Sequence, residues 1–342
     1  SVYGGRMFGG LRIRLDPWDA DYGPELSAEE EPEGQKPDVL PDVELPEEAW
    51  RPISPTDPFL PDRIYFVDGV RRLDARVVVE GEPVAYGAFG SFAAGSVSVR
   101  DGVAQFGPSL VDRILVVGGG KSLDEPVPVM PGAVYRPVSI GKRDSEAPLQ
   151  KLQEEMRLAE ERLARELADA DRTLVVVDGP LTFADPVRGA AVGFIKHISR
   201  FYLTAPKSLQ ILRDLPTGAR TPLFGLHSAR RFARYSWFLR LTPPAAGDPP
   251  FSGIVRLEVS ETVGLETARR LADATAWALP RFVRSRGTDP RAPQNLAPVG
   301  ALEAQLRRRL GDRLLLRRHI QALIVREVRS RGDEDSAVRP IP

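Results

Sequence analysis

From residue 63 onward the hydrophobic positions fall into short strand-like runs. RIYFVDG at 63–69, ARVVVEG at 75–81, a stretch rich in Gly, Ser and Ala at 85–99, and RILVVGG at 113–119 follow in succession and predict a meander. The period changes at 146–170, where Leu149, Leu152, Met156, Leu163 and Leu167 recur at helical spacing along one side. TLVVVDG, from Thr173, is apolar at consecutive positions, the pattern of a strand buried on both faces. Further strands are predicted at 189–196, 235–242 and 253–259, a short helix near 208–214, and a helix from Leu265 to Ala278. Two amphipathic basic helices, at 299–310 and 313–328, close the pattern. A meander, a long helix and then a doubly buried strand predict an α/β fold: a ribonuclease H-like mixed sheet flanked by helices, with an acidic N-terminal arm and C-terminal basic helices.

Outside these elements, residues 24–62 are rich in Pro and Glu and hold no sustained period, which predicts an extended arm. The expected division is an arm or linker over 1–62, one catalytic domain over 63–330, and a disordered tail over 331–342. Net charge is zero across 342 residues, yet residues 1–62 hold 5 basic and 15 acidic side chains, leaving the remainder with 42 and 32. That remainder is basic, and its arginines cluster among aromatics at Arg230, Arg231, Phe232, Arg234, Tyr235, Trp237 and Arg240, and again from Arg307 to Arg318. Guanidinium groups neutralise phosphates and aromatic faces stack on unpaired bases, so these clusters are candidate nucleic-acid surfaces. The absence of cysteine excludes a disulfide framework, a thiolate metal site and a cysteine nucleophile. No apolar run is long enough for a membrane helix, and a cytoplasmic, nucleoid-associated protein is expected.

Two segments rhyme. YFVDG ends in Asp68 and Gly69, and VVVDG ends in Asp178 and Gly179. Each sets a carboxylate at the end of a hydrophobic strand, where a ligand can approach the sheet. Carboxylates gathered closely enough to repel one another suit a hard cation such as Mg²⁺ or Mn²⁺. A third acid is expected from the long helix. The helix runs back along the strand, so Asp178 lies level with a helix residue about 15 positions earlier, given about 3.3 Å per strand residue and about 1.5 Å per helix residue. This favours Glu160 or Glu155 over Glu166. A P-loop is excluded at LVVGGGKS because Leu115 stands where the motif needs glycine, and His197, His227 and His319 have no metal-ligand spacing.

YFVDGVRR at 65–72, the helix with Arg157 and Glu160 three apart, VVVDGPL at 175–181 and VGFIK at 192–196 together resemble the NurA nuclease family over roughly residues 63–300. The resemblance implies a ribonuclease H-like, manganese-dependent exonuclease and single-strand endonuclease. It also implies a homodimer that works with the hexameric ATPase HerA in resecting DNA ends. It matches Asp68, Glu160 and Asp178 to the family's metal-binding acids and Lys196 to the lysine that ends its next strand. One departure stands out: where the family carries a tyrosine and then a histidine near the end of the domain, this chain has PRAPQNLAPVGALE, with Gln294 and Asn295.

The expected activity is therefore metal-dependent hydrolysis of phosphodiesters in single-stranded DNA and duplex ends, with Mn²⁺ or Mg²⁺ as cofactor. Asp68, Glu160 and Asp178 are the expected ligands, Lys196 offsets phosphate charge, and Arg71, Arg72, Arg230, Arg231 and Arg234 contact nucleic acid. The alternative is a catalytically weakened module on the same fold that binds DNA ends or a partner. MFGGLRIRL at 7–15 alternates like an edge strand and is expected to pair across a dimer axis or onto the ATPase.

Overall fold

The computed structural model of the chain describes residues 7–16, 37–58, 60–168, 172–181, 189–198, 201–228, 231–284 and 294–337. Three long strands form its spine: β3 (Arg63–Val79), β4 (Ala85–Arg100) and β5 (Val103–Val117). They pair antiparallel in sequence order, as the predicted meander requires. RIYFVDG and ARVVVEG prove to be one strand. A bulge between Leu73 and Ala75 lets β3 bend and continue, and it turns Asp74 into the interior.

The other strands are β1 (Ile13–Leu15), β2 (Asp38–Leu40), β6 (Val127–Met130), β7 (Ala133–Ser139), β8 (Thr173–Asp178), β9 (Ala191–Ile195), β10 (Phe224–Ser228), β11 (Arg231–Arg240) and β12 (Ile254–Ser260). Together the described strands form one twelve-stranded mixed sheet in the order β2-β10-β11-β12-β9-β8-β3-β4-β5-β7-β6, with β1 on β3. β8 lies parallel to both β3 and β9, so the chain crosses over between them. The helix α1 (Ala147–Ala168) makes the first of these crossovers.

Among the described residues five α-helices cover the sheet. On one face lie α3 (Leu265–Ala278), α4 (Ala297–Arg309) and α5 (Arg313–Ala337), and on the other lie α1 and α2 (Pro206–Arg213). β4 is pressed from both sides, which explains its Gly, Ala and Ser. A Cβ on Gly90 would lie 2.7 Å from Leu152 of α1, and one on Gly95 would lie 2.9 Å from Leu306 of α4. Larger residues there would force the helices off the sheet. None of the helices among the described residues is long and apolar enough to cross a membrane.

The N-terminal segment departs from expectation. Residues 37–58 lie against the body: β2 forms one end of the sheet, Trp50 is buried, and Glu44 binds Arg220 through both carboxylate oxygens at 2.8 and 3.0 Å. The edge strand expected to pair with another chain is instead taken up by its own, with Ile13 opposite Val79 and with Phe8 and Ile13 buried beneath α5. Hydrophobic alternation specified a strand but not its partner, and β3 offers an open edge where β8 has ended. At the other terminus α5 continues through Ala337, past the boundary expected for the tail. Residues 17–36 of the acidic arm and 338–342 of the tail lie outside the described residues.

Candidate active site

The parallel register of β3 and β8 matches Val67 with Val177, so the next residues, Asp68 and Asp178, stand on adjacent strands. Neighbouring strands lie about 4.8 Å apart, which makes the two carboxylates neighbours. Strand alternation puts Asp68 on the face of Phe66 and Val70, and Asp178 on the face of Val176, under α3 and α4. Lys196 follows β9 on that face, its Nζ donating to Asp178 Oδ2 at 2.6 Å and to Asn295 Oδ1 at 3.0 Å. Asn295 is fully buried just ahead of α4.

Glu160 and Arg157 approach from the other face, on α1. Arg157 Nη1 donates to Glu160 Oε2 and to the Asp178 carbonyl oxygen, both at 2.9 Å, tying helix to strand end. The glycine after each aspartate admits this pair. A Cβ on Gly69 would lie 2.5 Å from Glu160 Oε1, and one on Gly179, which also holds φ +104°, would lie 3.0 Å from the Arg157 guanidinium. The Asp-Gly rhyme is therefore a pair of openings through which the helix reaches the sheet, one at the end of β8 and one within β3, which runs on through Asp68 where a strand end was expected. Glu155 points elsewhere, to Arg136 and Lys151 at the surface.

Charge is concentrated here. Burial, then the Asp178 carboxylate, then the Glu160 carboxylate hold the Asp68 carboxyl well above its ordinary 3.8, against the pull of Lys196. Glu303 of α4 adds to the repulsion. Burial also raises Glu160, opposed by Arg157. One carboxylate oxygen, Glu160 Oε1, is buried without a hydrogen-bond partner. Acidic oxygen donors that repel one another and include an unsatisfied atom fit a hard divalent cation. They are not drawn into a closed ligand set: among the described residues no three acidic or histidine side chains are grouped to hold a metal ion. At Asp178 the Lys196 ammonium supplies the compensating charge.

The predicted arginine contacts divide differently. Arg234 is buried beside Glu258 at 3.7 Å, and Arg240 is spent on the carbonyl oxygens of Leu215, Arg213, Pro250 and Ser252. Arg220 is likewise buried, between Glu44 and Asp273. The expected basic face at 220–240 is thus largely interior, because β11 lies between β10 and β12 and its alternate residues face α2 and the loops beside it. Arg230 lies outside the described residues, as does the side chain of Arg231. Arg72 is also structural, binding Asp74 at 2.8 Å and the carbonyl oxygens of Leu310 and Gly311. Arg71 stays half-buried with Gln153 as its partner. In the second predicted cluster, by contrast, Arg307, Arg308 and Arg309 at the end of α4 and Arg318 on α5 are exposed.

Sequence reasoning named Asp68, Glu160, Asp178 and Lys196, and the fold brings them together; it singled out Asn295 only as a departure from the family pattern, left Arg157 without a role and did not name Glu303. The Arg157–Glu160 spacing of three was the available signal for the first. Asn295, just ahead of α4, and Glu303, on it, lie more than 100 residues from Asp178 in sequence, and tertiary structure brings them to it. No family model matches the chain, and no curated protein matches it. Among solved structures, the NurA nuclease from Sulfolobus solfataricus is similar over 86% of this chain and 90% of its own, at 11% identity and a TM-score of 0.44. A structure of NurA with manganese is similar over 42% of this chain and 26% of its own, at 17% identity and a TM-score of 0.20.

Proposed function

We propose that the chain is a divalent-metal-dependent deoxyribonuclease of ribonuclease H-like architecture that hydrolyses phosphodiesters in single-stranded DNA and at duplex ends. The observation that carries this reading is the crowding of Asp68 against Asp178 and Glu160, with an unsatisfied Glu160 oxygen at the same place. Like charges so arranged are costly to the fold unless something positive binds between them. Asp68, Asp178 and Glu160 would hold Mn²⁺ or Mg²⁺. Such a cation polarises a phosphoryl oxygen and acidifies its bound water. Lys196 sits where its ammonium can offset charge on the phosphate, and Arg157 fixes both Glu160 and the end of β8. The likeness to NurA extends the proposal to a homodimer acting with a HerA-type ATPase in resecting broken DNA ends, inside the cytoplasm.

A second reading has its own support. Lys196 already compensates Asp178, and no closed ligand group is present among the described residues, which suits a DNA-end or partner-binding module with weakened catalysis. Incubation with single-stranded DNA, duplex ends and RNA, with and without Mn²⁺, separates the two. Cleavage of DNA that requires Mn²⁺ and disappears in Asp68→Ala is expected. Tight DNA binding without stimulated cleavage would establish the second reading instead.

A further inference from the structure

We infer that Asn295 is a positioning residue for Lys196, holding the ammonium beside the site when it is displaced from Asp178. The inference rests on the metal-dependent reading above and concerns how this chain's own residues accommodate it. An ammonium has three donors and no acceptor, and Lys196 directs two of them, at Asp178 Oδ2 and Asn295 Oδ1. These partners differ in kind. Asp178 is a charged acceptor that a cation would claim, whereas Asn295 is neutral, so it holds the lysine without cancelling its charge.

Asn295 is fully buried, and the start of α4 fixes its backbone, so its oxygen is a stationary point. Lys196 is about one-fifth exposed, leaving its third donor for a phosphate oxygen arriving from solvent. A cation held by Asp68 and Asp178 would compete with Lys196 for the Asp178 carboxylate. With Asn295 in place the lysine gives up one bond and stays. Without Asn295 it has only Asp178 to hold, competes harder with the cation, and is free to swing away once displaced.

A double-substitution cycle tests this, read by DNA cleavage and by calorimetric titration of Mn²⁺ in the absence of DNA. In the natural chain Lys196→Met is expected to lower kcat about tenfold, the usual scale for losing a hydrogen bond from a charged group. In an Asn295→Ala background the same change should alter kcat less than about twofold, because the lysine is already misplaced. Asn295→Ala should also weaken Mn²⁺ binding about threefold, with Lys196→Met restoring it. Equal factors for Lys196→Met in both backgrounds, or a Mn²⁺ affinity indifferent to Asn295, would overturn the inference. If Asn295→Ala does not fold, Asn295→Asp keeps an oxygen at the same point. Lys196→Met should then cost at least as much as in the natural chain, and no cost would again overturn it. A natural chain that binds no Mn²⁺ defeats the metal reading itself, whereas Mn²⁺ binding without coupling defeats only the role of Asn295.

Discussion

At the residue scale the site is an electrostatic conflict that the fold tolerates. Asp68 is buried beside Asp178 and Glu160, and its carboxyl is held well above 3.8 chiefly by burial and then by those neighbours. A carboxyl raised in the folded state binds its proton more tightly there than in the unfolded chain, so stability falls as pH rises above the unfolded value. Asp68→Asn removes the charge and keeps the shape. It should stabilise the metal-free protein at neutral pH by about 1 to 3 kcal/mol, and the gain should shrink as pH falls towards 4, where Asp68 is already protonated. Thermal melts of the two proteins across this range check the claim, and a variant less stable than the natural chain at pH 7 would refute it. Mn²⁺ should raise the melting temperature of the natural protein more than that of Asp68→Asn, because only the former has the full set of charges to neutralise.

At the scale of elements, what the sequence made legible follows from what alternation and spacing encode. The doubly buried β8, the long α1 and the strand end at Asp178–Gly179 announce themselves through local pattern and are where they were expected, whereas Asp68–Gly69, read as a second strand end, lies within the continuous β3. Partners were less legible than elements. An arginine at alternate positions of a strand reads as solvent-facing, yet Arg234 and Arg240 point inward and are satisfied by a glutamate and by carbonyl groups supplied from distant segments. Glu155 and Glu160 could not be separated by position along α1. What separates them is the opening at Gly69, a feature of the sheet rather than the helix. The same limit applies to residues 7–16, whose strand pattern was sound and whose partner turned out to be β3. Deleting residues 1–16 removes the buried Phe8 and Ile13 from the cluster under α5. Burial of each such side chain is worth about 1.5 to 3 kcal/mol, so the truncated protein should melt several degrees lower. An unchanged melting temperature would show that the segment contributes only to assembly.

For the whole molecule the question is where a polyanion would lie. With Arg220, Arg234 and Arg240 interior, an exposed run of positive charge stands at Arg307, Arg308 and Arg309, the far end of α4, the helix that begins just after Asn295. Reversing Arg308 and Arg309 to Glu should weaken binding to single-stranded DNA and reduce the slope of log affinity against log salt, since fewer counterions are released. Reversing Arg234 should instead destabilise the fold, because a buried charge would face Glu258. A salt slope unchanged by the α4 reversals would move the nucleic-acid path elsewhere. The account as a whole depends on the acidic pair formed by Asp68 within β3 and Asp178 at the end of β8 being a metal-dependent hydrolytic centre. The most direct test compares the natural chain with Asp178→Asn, a variant of the same shape, for cleavage of single-stranded DNA as Mn²⁺ is titrated in. Cleavage that rises with Mn²⁺ in the natural chain and is lost in a folded Asp178→Asn is the predicted result, whereas cleavage that persists in the variant, or that proceeds equally well without divalent metal, would contradict it.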